Sequence, residues 1–223
     1  MLLRDAALVA GKDLRIEVRS RVAINQVAPF ALLVLVLFAF ALDPDRGVLA
    51  RASAGLFWLA VTFSALLAVQ RSFGLEGADG ARDGLRLSGL DPAGIFMGKA
   101  AAIVVQLLAL ELLLAFGVAV LYNADLGGWW VLASTAVLAS IGLAAAGCLY
   151  GVLSAGTRVR ETLLPLLLVP VAAPVVLCAT RAWEAALAGV SGEAGPWMRL
   201  LAAFAAVYLA AGAFSFGLLL EEA

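Results

Sequence analysis

The sequence predicts an all-α, polytopic integral membrane protein, with six transmembrane helices behind an N-terminal amphipathic helix at the membrane interface. Three observations carry that prediction. Of the 223 residues, 64% are apolar and 14% charged, and the mean hydropathy of +1.04 lies outside the soluble globular range. The apolar residues come in successive runs of about 20, enough for a helix to cross roughly 30 Å of hydrocarbon. A single long polar stretch, residues 70–99, interrupts them. It holds Arg71, Glu76, Asp79, Arg82, Asp83, Arg86 and Asp91 among Gly74, Gly77, Gly80, Gly84 and Gly89. Charges at that density lie in water or against another protein.

Residues 1–21 form the first unit. Leu3, Ala7, Ala10, Leu14 and Val18 share one side of a helix, while Arg4, Lys12, Arg15 and Arg19 share another. That pattern suits a helix in the interface plane, with its bases toward phosphate, or else a short soluble helix. Asp13 and Glu17 blur its polar boundary. Charges interrupt every candidate signal-peptide core, so this segment is expected to stay attached.

The second unit, residues 22–223, carries spans at about 22–42, 49–70, 93–121, 129–153, 162–179 and 197–220. Asn25, Gln26 and Pro29 sit near the start of the first, within reach of headgroups. Asp91-Pro92 opens the third with an N-cap and a proline at the first helical position. Trp129 and Trp130 open the fourth at the level where indole rings accumulate. The fifth contains Pro165, Pro170 and Pro174 and is expected to be kinked or broken, since neighbours in a membrane can satisfy the freed carbonyls. Residues 181–196 read as a polar connection.

Six spans place both ends of this unit on one side. With those ends in the cytosol, eleven Lys and Arg residues lie inside and four outside, a clear positive-inside bias. Residues 71–92 then form a cytosolic loop. A short helix within it, Ala81 to Leu87, would offer Leu85 and Leu87 for docking, against the alternative of a solvated linker.

Histidine is absent, which removes the usual general base, zinc ligand and haem axial ligand. No catalytic constellation and no metal site is expected. Cys148 and Cys178 lie in apolar stretches and read as small buried hydrophobes. The segment GIFMGKA (94–100) falls one residue short of a phosphate-binding loop, lacks its Ser or Thr, and opens a membrane helix; it is not a nucleotide site. The net charge of −1 gives no sign of nucleic acid, because the charges are segregated along the chain. Gly147 and Gly151 form a GxxxG step, read as packing within the subunit rather than self-association.

Glu111 is the one carboxylate well inside a span. It must be neutral, paired or facing a protein-lined cavity. It either lines a path for a polar or amphipathic substrate or bonds to a neighbouring helix bearing Ser134, Thr135 or Ser140. Gln106, five residues earlier, points elsewhere on the helix.

The run RSFGLEGADGARDGLRLSGLDPAGIFMGK (71–99), followed by RVRETLLPLLLVPVAAPVVL (158–177), resembles the permease B subunit of the cytochrome c maturation haem-export ABC transporter, the CcmB family. The resemblance covers nearly the whole chain. It implies an ABC-2-like permease in a bacterial inner membrane, both termini cytoplasmic, with no ATPase of its own. ATP would be bound by a separate ATP-binding cassette subunit, docked on a coupling segment containing Glu76, Asp79, Arg82, Leu85, Arg86 and Leu87. The resemblance further implies a haem-handling membrane subunit, a haem chaperone, a second copy of the chain, and haem as possible cargo, with no cofactor bound directly. Trp129-Trp130 precedes Val131 and so is not the Trp-Trp-Asp haem motif of the partner subunit. Two rivals remain: an exporter of another substrate, such as a lipid or drug, and a passive assembly scaffold.

Overall fold

A computed structural model describes residues 2–42, 46–78, 84, 88–124, 126–155 and 160–222. Among these, seven long helices follow in order: α1 (Leu2–Ser20), α2 (Ala28–Leu42), α3 (Arg46–Ala78), α4 (Pro92–Leu121), α5 (Trp129–Ala155), α6 (Arg160–Leu187) and α7 (Gly195–Glu222). Six of them, α2 to α7, are long and apolar enough to cross a membrane. The chain is a multi-pass membrane protein.

α5 is the central helix. Ala139, Leu143, Ala144, Ala145, Ala146 and Cys148 are all essentially inaccessible. Its richness in small residues explains the position, because small side chains let neighbouring backbones approach on every side. α3, α4, α6 and α7 all pack against it, whereas α2 lies outside, against α3 and α4. Gly147 and Gly151 receive α3: a methyl built on either would come within 2.5 Å of the Val69 or the Phe73 side chain. The GxxxG step therefore serves packing within the chain, as expected.

α1 ends at Arg21, whose backbone is left-handed (φ 53°), a conformation that normally favours glycine. A π-helical turn, Ala23–Val27, then leads into α2. Pro29 lacks the N–H that would bond to the Asn25 carbonyl, which accounts for a widened turn at this place.

Three boundaries differ from the sequence expectation. α3 continues through Ala78 instead of stopping near Gln70. Its extra turns are held by packing, since Phe73 is buried against Gly151. α6 is one unbroken helix across Pro165, Pro170 and Pro174 and runs on to Leu187. Residues 181–187 are thus not a polar connection. Ala182, Trp183 and Ala186 are buried there, and the Trp183 ring stacks on Phe57 with centroids 3.9 Å apart. The third difference is at the start of the last span, where a 3-10 turn, Ser191–Ala194, precedes α7. Gly189 (φ 76°) ends α6, with Val190 N–H donating to the Ala185 carbonyl at 2.9 Å. That 6→1 bond is a Schellman closure.

Cys148 and Cys178 are both buried, and each is a thiol and not half of a disulfide. Trp129 and Trp130 project from the start of α5 and are about two-thirds exposed, as interfacial anchors would be.

Candidate functional site at the base of the polar loop

The 71–92 stretch begins in the last turns of α3, which ends at Ala78, and reaches the first residue of α4, Pro92. Both roots are fastened to α1. Asp91 caps α4 through its side chain, which accepts from Ala93 N–H at 2.9 Å, with Pro92 in the first turn. Asp91 N–H in turn donates to Asp5 Oδ2 at 3.3 Å. Further along, Lys99 Nζ lies 3.5 Å from Asp13 Oδ2 and 3.3 Å from Ser72 Oγ, and 4.7 Å from the centre of the Phe73 ring. Lys99 is only 1% exposed, so this base of the cytosolic count is a buried tie. Arg71 on α3 pairs with Glu17 at 3.2 Å. One buried ammonium and one guanidinium therefore bridge three helices at the root of the loop.

α1 can approach this closely because of glycine. A methyl at Gly98 would sit 2.6 Å from the Ala6 carbonyl oxygen and 2.7 Å from Val9 Cβ, and one at Gly94 would sit 3.0 Å from Asp5 Cβ. The two glycines of the failed phosphate-loop match are a notch for a helix backbone. The inward face of α1 carries Asp5, Val9, Asp13 and Glu17, spaced by four; the first three meet α4 and its cap, and Glu17 meets Arg71 of α3. Leu3 and Val18, on the apolar stripe, stay 82% and 74% exposed, free to meet lipid. The acids that blurred the amphipathic pattern are the ones that hold the helix down. Their regular spacing was visible in the sequence, and Lys99 was the missing partner.

A second polar locus lies deep between α4 and α5. Glu111 is 3% exposed, and Ser140 Oγ donates to its Oε1 at 2.7 Å. Its Oε2 and the buried Thr135 hydroxyl lack a hydrogen-bond partner among the described residues. Ser134 turns away and donates to the Trp130 carbonyl. Of the three partners expected for Glu111, the structure selects Ser140. Gln106 does point elsewhere: it lines a cavity of about 1010 Å³ bounded mainly by α1, α2, α3 and α4, with Ser154 of α5 and Leu164 of α6 also in its wall.

Of the loop residues singled out by sequence, Asp79, Arg82, Leu85, Arg86 and Leu87 lie outside the described residues. Glu76 falls in the last turns of α3, and its side chain lies outside the description. Pro165, Pro170 and Pro174 lie within α6, the last two on its exposed face.

The family model described as CcmB protein matches residues 4–222. A protein of Haemophilus influenzae named heme exporter protein B is 32% identical over 176 residues, 78% of this chain and 79% of the relative. The heme exporter protein B of Rhodobacter capsulatus is 29% identical over 74% of this chain and 76% of its own. That of Bradyrhizobium diazoefficiens is 27% identical over 92% of this chain and 91% of its own.

Proposed function

This chain belongs to the CcmB protein family, and from that premise we propose that it is the permease subunit of a haem-exporting ABC transporter of cytochrome c maturation. The family match across residues 4–222 carries this conclusion. CcmB proteins are membrane subunits of a transporter and not enzymes in themselves. We further infer a separate ATP-binding cassette subunit, docked on the cytosolic loop, as the source of energy. The loop bases charge toward the cytosol, and with them both termini, in a bacterial inner membrane.

The arrangement supports a coupling role. A push on residues 71–92 reaches α3 and α4 directly, and both are tied to α1 by the ion pairs around Lys99 and Arg71. α4 then bears on the central helix α5. Motion of the loop therefore becomes motion of rigid helices, without any chemistry by this chain. The haem-handling subunit, the haem chaperone and a second copy of the chain complete the proposed assembly, with haem as the cargo.

Two measurements test the proposal. Leu85→Asp and Arg82→Glu should abolish co-purification with the ATP-binding subunit while the protein still inserts in the membrane. A strain lacking the chain should fail to attach haem to c-type cytochromes; normal cytochromes in that strain would overturn the haem assignment.

A further inference from the structure

The cavity beside Gln106 is built for an amphiphile. Its charged groups gather at one end, and apolar side chains line most of the rest. Glu17, Arg21, Gln70 and Arg71 stand at the loop end, while Leu110 and Leu113 of α4 lie at depth. On α3 the lining runs from Gly74 to Ser64, ten residues and hence about 15 Å of helix. That depth equals half of a hydrocarbon core of roughly 30 Å, the thickness of one leaflet. Ser64 does not spoil the apolar end, because its hydroxyl already donates to the Ala60 carbonyl at 2.8 Å. Phe30 on α2 and Val105 on α4 also line the cavity and are about half exposed, which leaves an apolar side opening between those helices.

The charged groups of the lining are Glu17, Arg21 and Arg71, two positive and one negative, a surplus of one positive charge. Arg71 is already engaged with Glu17 at 3.2 Å, so the surplus resides at Arg21. A single phosphodiester matches it.

We propose that this cavity holds one phospholipid of the leaflet at the loop end, its phosphate at Arg21 and Arg71 and its acyl chains among Phe30, Leu110 and Leu113. Gln106, partway down, offers its amide to the glycerol ester groups. The volume of about 1010 Å³ stands at the upper edge of the roughly 300–1,000 Å³ typical of small-molecule sites, and so admits a body larger than a common metabolite. An iron tetrapyrrole is a poorer fit, because no His, Cys, Met or Tyr lines the cavity to ligate the metal. The lipid would wedge α1 and α2 against α3 and α4 next to the loop roots. The inference is independent of the haem-export assignment, since it depends only on this cavity and on insertion in a bilayer.

The test is native mass spectrometry of the protein extracted in a mild detergent, delipidated, and then titrated with dioleoylphosphatidylglycerol. Glycerol 3-phosphate and haemin are titrated in parallel. The expected result is one phosphatidylglycerol per chain. Retention should fall at least fivefold in Arg21→Glu, which weakens the phosphate site, and in Ala109→Trp, which fills the lining from α4. Both variants should keep the wild-type melting temperature within a few degrees, which separates lost binding from lost fold. Equal retention by wild type and both variants would overturn the proposal, as would saturable binding of haemin that phosphatidylglycerol fails to displace. Binding of glycerol 3-phosphate as tight as that of the lipid would also overturn it, since the acyl chains would then contribute nothing.

Discussion

Lys99 Nζ sits 3.5 Å from Asp13 Oδ2 with the lysine side chain 1% exposed, so the N-terminal amphipathic helix is bound by charge to a helix long and apolar enough to cross the bilayer. Removing Lys99 takes from Asp13 its buried partner and leaves it the more exposed Lys12, whose Nζ lies 2.9 Å from Oδ1. Lys99→Met should cost about 3 kcal/mol, the lower end of what breaking a buried pair costs, because Asp13 is 11% exposed and water reaches it. The double variant Asp13→Asn/Lys99→Met should recover more than half of that loss. Thermal denaturation in detergent measures both; additive losses would show that the two residues do not interact.

The notch at Gly94 and Gly98 predicts a steric effect of a different kind. Gly98→Leu places side-chain atoms where the Ala6 carbonyl and Val9 now lie. It should displace α1 and cost roughly 1–3 kcal/mol, as overpacking does. A cysteine pair placed across α1 and α4 should crosslink in the parent and fail to do so in the variant. Gly11, which has open space around it, provides the control: Gly11→Ala should be tolerated.

Glu111 and Ser140 form a hydrogen-bonded pair whose members should not act independently. Glu111→Gln keeps an acceptor for the Ser140 hydroxyl and should change stability by less than about 1 kcal/mol. Ser140→Ala, which leaves both carboxyl oxygens unpartnered, should cost about 1–3 kcal/mol, and Glu111→Leu/Ser140→Ala should recover most of it. Cytochrome c maturation in the same strains separates structure from transport. If the stable double variant still supports wild-type maturation, Glu111 serves packing alone.

At the far end of the bundle Trp183 stacks on Phe57, lies edge-on to Trp58, and donates from Nε1 to the Leu132 carbonyl at 3.3 Å. Trp183→Ala should cost about 3–5 kcal/mol, the range for large-to-small changes in a packed core. Trp183→Phe should cost less, since it keeps the stacked ring and loses only the hydrogen bond. Melting temperatures of the two variants provide the comparison.

Hydropathy alone located the six spans, because a length of apolar residues is a property of composition. The Asp91-Pro92 start of α4 was equally legible, since a cap and its proline are local in the chain. The end of α6 was not. Arg181 and Glu184 suggested a connection, yet they pair with each other at 3.0 Å on an exposed face while Ala182 and Trp183 pack inward. The role of Lys99 was hidden for a related reason. Its partners Asp13 and Ser72 stand 86 and 27 residues away, and only the fold brings them together. The same distance in sequence hid the purpose of Gly94 and Gly98, which is set by the backbone of α1.

The left-handed residue Arg21 and the π-helical turn Ala23–Val27 join the amphipathic segment to the first crossing. Since α1 is clamped to α4, a tilt of α4 in the proposed transport cycle would carry that segment with it, through the lipid headgroups in the proposed interfacial placement. Viscosity and surface charge of the membrane thereby become brakes on turnover. The same protein should cycle at different rates in stiff and in fluid bilayers, even with its nucleotide supply unchanged.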